Sequence, residues 1–177
     1  MISRYVFVED TYGVDFHRFL LEKLIVFDEE LLREIQGRMP VIRRLPAKKC
    51  NPAIAKKVRA VLFGQENWKM LVVIDTENRK VNESIDSVRR HFKRSELKRT
   101  RLVTVHPRHE AWLCMGIGGD KKACRNDPES VISRLIRRRY EKYMLSSMAN
   151  RVDIRRLLGE NDFQKYVSLL KWLVKDP

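Results

Sequence analysis

Met70-Leu-Val-Val-Ile-Asp-Thr-Glu77 sets five apolar residues, three of them β-branched, directly before two acids spaced one residue apart. An unbroken apolar run of this kind reads as a strand buried on both faces, since a strand with one wet face would alternate apolar and polar residues. Strands buried on both faces belong to parallel sheets covered by helices. The same signature recurs in Tyr5-Val-Phe-Val8 before Glu9-Asp10, in Val41-Ile-Arg-Arg-Leu45 before Pro46, and in Leu102-Val-Thr-Val105 before His106-Pro107.

Helical periodicity fills the gaps. Phe16, Phe19, Leu20 and Leu24 follow Thr11-Tyr-Gly13; Asn51 and Pro52 open a segment with Ile54, Val58, Val61 and Leu62 on one face; Asn82 to Phe92 presents Ile85, Val88 and Phe92. Alternation of strand and helix predicts an α/β, three-layer Rossmann-like parallel sheet of about four strands over residues 1–110. From residue 111 the pattern is helical, which predicts a C-terminal helical extension (111–177) of a single domain (1–177). Asp127-Pro128-Glu129 combines a cap, a first-turn proline and a first-turn acid. The helix it opens is expected to carry Val131, Ile132, Leu135, Ile136, Tyr140, Tyr143 and Met144 inward and Arg134, Arg138 and Lys142 outward at i, i+4, i+8. Asn161 to Val174 predicts a final helix.

The chain has 177 residues, 44% of them hydrophobic, which excludes wholesale disorder. Its net charge is +14 and its pI near 10.0, an excess that points to a polyanionic partner. Basic residues barely outnumber acidic ones in residues 1–78 (13 to 11) but do so two to one beyond (24 to 12). Clusters at Arg89-Arg90, Lys93-Arg94, Lys98-Arg99, Arg134, Arg137-Arg138-Arg139 and Arg155-Arg156 suit phosphate contacts. Arg89, Arg90, Arg134, Arg138 and Lys142 are the candidate nucleic-acid contacts. Three scattered cysteines (Cys50, Cys114, Cys124) without a Cys-x-x-Cys predict no disulfide scaffold. The opening residues lack a signal-peptide pattern and no apolar run is long enough to span a bilayer, so the expected location is cytoplasmic, with no membrane partner.

Ligands of parallel sheets collect at the carboxyl ends of the strands, and the acids stand there: Glu9 after the first strand, Asp75 and Glu77 after the third. Carboxylates at i and i+2 of an extended chain point the same way, and hard oxygen donors suit Mg²⁺ or Mn²⁺. Acids at strand ends also cap helices or simply meet water, and spacing alone leaves both readings open. Four further features have the same two sides. Glu110, in His106-Pro-Arg-His-Glu-Ala-Trp112, is either a further metal ligand or an acid at a helix N-terminus. His106, His109, Cys114 and Cys124 are zinc-binding residue types at unfamiliar spacing. Gly116-Ile-Gly118-Gly119-Asp120-Lys121-Lys122 could face a phosphate but lacks the Gly-Lys-Ser/Thr ending of a Walker loop. Tyr140 and Tyr143 could be nucleophiles, but an apolar face argues for packing.

Tyr5-Val-Phe-Val-Glu9, the order of elements to residue 106, and Asp75-Thr-Glu77 resemble the TOPRIM domain of topoisomerases, primases and related nucleases. His106 to Trp112 resembles a segment of small bacterial and archaeal TOPRIM-like proteins. The family's glutamate corresponds to Glu9, and its Asp-x-Asp pair to Asp75 and Glu77. Asp10 stands where the family usually has glycine, and Glu77 where it has a second aspartate. The resemblance implies Mg²⁺- or Mn²⁺-dependent phosphodiester chemistry on nucleic acid, nuclease-type cleavage, with Glu9, Asp75 and Glu77 catalytic and those three plus Glu110 on the metal. The alternatives are a non-catalytic nucleic-acid-binding module, or a subunit of a defence or repair complex with a partner such as an ATPase, since no nucleotide-binding loop occurs here.

Overall fold

All four expected strands form, and all run parallel. A computed structural model describes residues 2–35, 39–77 and 79–175. Strands β1 (Ser3–Val8), β2 (Val41–Arg44), β3 (Trp68–Asp75) and β4 (Thr100–Val105) make one sheet in the order β2-β1-β3-β4. Tyr5 pairs with Val41 on one side and Met70 on the other, and Met70 pairs with Thr100. The chain steps from β1 outward to β2, then crosses back over β1 to β3, so the connections diverge between β1 and β3. In open parallel sheets that divergence leaves a crevice at the carboxyl edge.

Alternate residues of each strand face opposite layers, as a pleat requires. Tyr5, Phe7, Met70, Val72 and Ile74 pack against α3 (Ile54–Val61) and α4 (Val81–Arg89), with Phe92 and then the short α5 (Arg94–Leu97) beyond. Val6, Val8, Leu71, Val73, Val103 and Val105 face a larger layer. That layer holds α1 (Gly13–Phe27), α2 (Glu29–Ile35), α6 (His109–Gly116), α7 (Lys121–Asn126), α8 (Pro128–Ile136), α9 (Met144–Ser147) and α10 (Asn161–Val174). The segment after residue 110 therefore supplies much of one layer: Trp112, Phe163 and Tyr166 are fully buried beside Phe16 and Leu20. Gly13 lets α1 start tight against β1, since a Cβ there would lie 2.7 Å from Val8 Cγ1.

Two expectations are corrected. The helix opened by Asp127 stops at Ile136, because Arg137 turns left-handed (φ 56°). Its amide donates to Arg134 O and that of Arg138 to Ser133 O, the pattern of a Schellman cap with arginine in glycine's usual place. Ser133 Oγ then accepts the Tyr140 amide at 2.9 Å, so Tyr140 is buried in a new direction. Arg134, Arg138 and Lys142 consequently do not share a helix face. Cys114 and Cys124 are joined in a disulfide (Cα–Cα 5.7 Å) tying α6 to α7, which removes both thiolates from the zinc set. Gly119 is obligatory there, because a Cβ would collide with Cys124 Sγ.

Candidate functional site

Each residue of the site follows a strand. Glu9 leaves β1, Asp75 ends β3, and the parallel pairing of β1 with β3 sets them side by side: Asp75 N donates to Glu9 Oε2 at 3.0 Å. Glu77 adopts a left-handed backbone (φ 54°) while its amide donates to Pro107 O at 2.7 Å, so the loops after β3 and β4 are laced together. Thr76 Oγ1 and His106 Nδ1, 2.7 Å apart, add a second tie. The three acids thus stand at one edge of the sheet, as their positions predict.

The residue at their centre was not expected. Lys49, in the loop after β2, has a side chain only 5% exposed. Its Nζ donates to Asp75 O at 2.6 Å and Glu9 Oε2 at 3.3 Å, and lies 3.7 Å from Glu77 Oε2. Strand β2 also delivers its following residues to the carboxyl edge. Applying the strand-end rule to bases as well as acids would have singled out Lys48 and Lys49, though not which of them turns inward.

Behind the acids lies a buried polar layer. Asp75 Oδ1 accepts the His109 backbone amide at 3.1 Å and sits 2.6 Å from His109 Nδ1. Burial pulls the His109 pKa down, but the charge and bond of Asp75, with Glu110 and Asp10, outweigh it and raise the pKa above the ordinary value. His17, from α1, packs edge-on to His109 with ring centroids 5.0 Å apart, and its Nδ1 lies 2.8 Å from the Tyr166 hydroxyl. Burial, with the nearby charge of His109, holds His17 well below its usual pKa, so it stays neutral. The Nε2 atoms of both histidines and both carboxylate oxygens of Glu110 lack a hydrogen-bond partner among the described residues. Burial raises the Glu110 pKa, and it also raises that of Glu9 against the opposing charge of Lys49. The Tyr140 hydroxyl is buried within reach of the Glu110 charge, and its pKa is raised by burial and that charge.

The expected metal centre was Glu9, Asp75, Glu77 and Glu110. Among the described residues no three His, Cys, Asp or Glu side chains converge as ligands on one point. The donor chemistry is right for Mg²⁺, but the point shared by Glu9 and Glu77 is filled by the Lys49 ammonium, and Asp75 Oδ1 is engaged by His109. In this arrangement the set fits an ammonium rather than a divalent ion.

Two hollows flank the cluster. One, of about 260 Å³, is lined by Glu9, Arg44, Leu45, Pro46, Ala47 and Lys48. The other, of about 450 Å³, runs past Glu77, Arg79, His106, Arg108, Arg125 and Glu129. The candidate basic residues are distributed unevenly around them. Lys142 reaches the crevice, 3.6 Å from Asp10 Oδ2. Arg134 stands in the last turn of α8, and Arg138 is exposed beyond it. Arg89 and Arg90 end α4, which runs back from the carboxyl edge, so they sit toward the amino edge.

The arrangement defines a class: a parallel α/β protein with a polar site at its topological switch point. Compared with protein-family models, curated proteins and solved structures, the chain matches none of them. Among the described residues, no helix is long and apolar enough to cross a membrane.

Proposed function

We propose that this chain is a nucleic-acid-binding module of TOPRIM-like architecture that seats a phosphodiester backbone across the switch crevice. The observation that carries this reading is the pair of hollows meeting at the Lys49-centred cluster, with Arg44 and Lys48 on one rim and Arg79 on the other, beside an Arg108 that pairs with Glu129 at 2.9 Å. A phosphate chain laid from one to the other meets cations at both ends and passes over a centre whose carboxylate charge Lys49 partly offsets. The net charge of +14 supplies the long-range attraction. The test is binding of labelled single- and double-stranded DNA and RNA over a salt series. Replacing Arg44, Lys48 and Arg79 together by Ala should weaken binding of all sequences alike and cut the salt slope by about 3, one for each phosphate left without its cation. An unchanged slope would remove the crevice from the binding surface.

A second reading is the metal-dependent cleavage that the TOPRIM resemblance implies, with Glu9, Asp75 and Glu77 catalytic and Mg²⁺ or Mn²⁺ as cofactor. It is favoured by Glu110, a carboxylate 1% exposed and without a hydrogen-bond partner. Folds do not gain stability from such a group, and unpaired ionisable residues gather at working sites. Incubating the wild type with both nucleic acids and Mn²⁺ tests it: products that vanish in Asp75→Asn would establish cleavage, and intact substrate would leave binding alone. In either reading a protein partner, such as an ATPase, would be recovered by co-purification.

A further inference from the structure

We infer that Lys49 is the resident cation of this site, occupying the position that the resemblance gives to a divalent ion, so that the crevice works without one. The inference takes its ligand, a phosphodiester, from the reading above, but its core claim concerns the cation alone.

Three observations converge on it. The ammonium has three N–H groups and three oxygen partners from two other loops: Asp75 O, Glu9 Oε2 and Glu77 Oε2, at 2.6, 3.3 and 3.7 Å. These are the hard donors an Mg²⁺ ion would seek, and the side chain holding them is almost completely withdrawn from water. Second, the partners are held toward Lys49 by backbone: Asp75 N fixes Glu9 Oε2, and the left-handed turn at Glu77 is pinned by Pro107 O. Third, Lys49 is the cation that directly faces the paired carboxylates and offsets part of their charge. Glu9 and Glu77 face Lys49, while Asp75 faces His109, a buried imidazole whose other charged neighbours are Glu110 and Asp10. A divalent ion placed among Glu9, Asp75 and Glu77 would have to approach within a few ångströms of Lys49. Like charges that close in a protein interior repel strongly enough to exclude the ion.

Lys49 thus does for the carboxylates part of what a metal would: it gathers them and lowers the repulsion a phosphate would otherwise meet. A divalent site should appear when the ammonium goes. Mn²⁺ binding followed by the loss of its free-ion EPR signal tests this directly. Wild-type protein should leave the signal intact at millimolar Mn²⁺, and its affinity for a DNA or RNA oligomer should not rise when Mn²⁺ replaces EDTA. Lys49→Met, which keeps the side-chain length and drops the charge, should bind Mn²⁺ at least about tenfold more tightly. Lys49→Arg should remain indifferent.

Saturable Mn²⁺ binding by the wild type would overturn the inference, and so would a folded Lys49→Met protein that binds no better. If Lys49→Met does not fold, the wild-type EPR and EDTA measurements decide by themselves. Failure to bind any nucleic acid would sink the functional reading instead, leaving the Mn²⁺ arms to judge Lys49.

Discussion

Two partly buried polar clusters lie on either side of the His106–His109 turn, and they are built in opposite ways. Around Arg125 every charge has an answer. Its guanidinium donates to Asp162 Oδ2 at 2.7 Å, to Asp162 Oδ1 and Glu160 Oε2 at 2.8 Å, and to His106 O. Asp162 also accepts the amides of His106 and Phe163. This clamp pins the start of α10 to α7 and to the end of β4. Around His109 the buried groups outnumber their partners, leaving Glu110 and two imidazole nitrogens unanswered. A saturated network in low dielectric rigidifies, whereas an unsaturated one carries a standing cost. The clamp is architecture. The His109 cluster is where the fold accepts instability, and that is the place to look for function.

Arg125 carries the largest expected effect. Arg125→Ala leaves Asp162 without its counter-ion and Glu160 with only the exposed Lys121. Chemical denaturation should show a loss of about 3 kcal/mol, at the low end for a broken buried pair because part of the guanidinium reaches water. A loss below about 1 kcal/mol would mean the clamp is ornamental. The disulfide comes next, since it ties α6, carrying His109 and Glu110, to α7, carrying Arg125. Its ten-residue separation corresponds to about 2–3 kcal/mol of unfolded-state entropy, so Cys114→Ala/Cys124→Ala should lose that much and stop responding to reductant. A melting temperature equal in wild type and variant would show that packing alone joins the two clusters.

Glu110 should behave in the opposite sense. Glu110→Gln removes a buried charge, and above neutral pH it should stabilise the protein by about 1 kcal/mol. The pH trend separates the two clusters. Glu110 and Glu9 have raised pKa values in the folded state, so their contribution is intact below the ordinary glutamate pKa of 4.5 and is lost as pH rises through the folded value. Glu160 is lowered, its burial being outweighed by Lys121 and Arg125, so its contribution is present above 4.5 and is lost as pH falls through the folded value. The advantage of Glu110→Gln should therefore be small at pH 4 and full at pH 8. An advantage that shrinks as pH rises would place the buried charge elsewhere.

What the sequence discloses about these regions follows from how local each cause is. The four strands and α10 are legible because an apolar run or a 3.6-residue period is written in consecutive residues. The end of α8 is not, because Tyr140 and Met144 continue the helical spacing while Arg137 reverses the chain, with no glycine to mark the turn. Glu9, Asp75 and Glu77 are legible as strand-end acids. Lys49 is hidden beside Lys48, a residue of the same type, and nothing in the neighbouring residues marks which of the two turns inward to the carboxylates. His17 reads as a helix residue like any other, and the Cys114–Cys124 bond depends on how α6 and α7 pack.

The smallest expected effect is the sharpest test of why the clamp is stable. Lys121 Nζ also pairs with Glu160, at 2.8 Å, the same distance as Arg125, yet its side chain is 60% exposed. If proximity of charge stabilised the clamp, Lys121→Ala and Arg125→Ala would cost similar amounts. If withdrawal from water and saturation of hydrogen bonds matter more, Lys121→Ala should cost under about 0.5 kcal/mol, because solvent screens the pair and ordering a long side chain offsets its attraction. That small cost should fade further in high salt, while the loss in Arg125→Ala should barely respond. Equal salt dependence in the two variants would make the clamp a surface ion pair and erase its contrast with the His109 cluster.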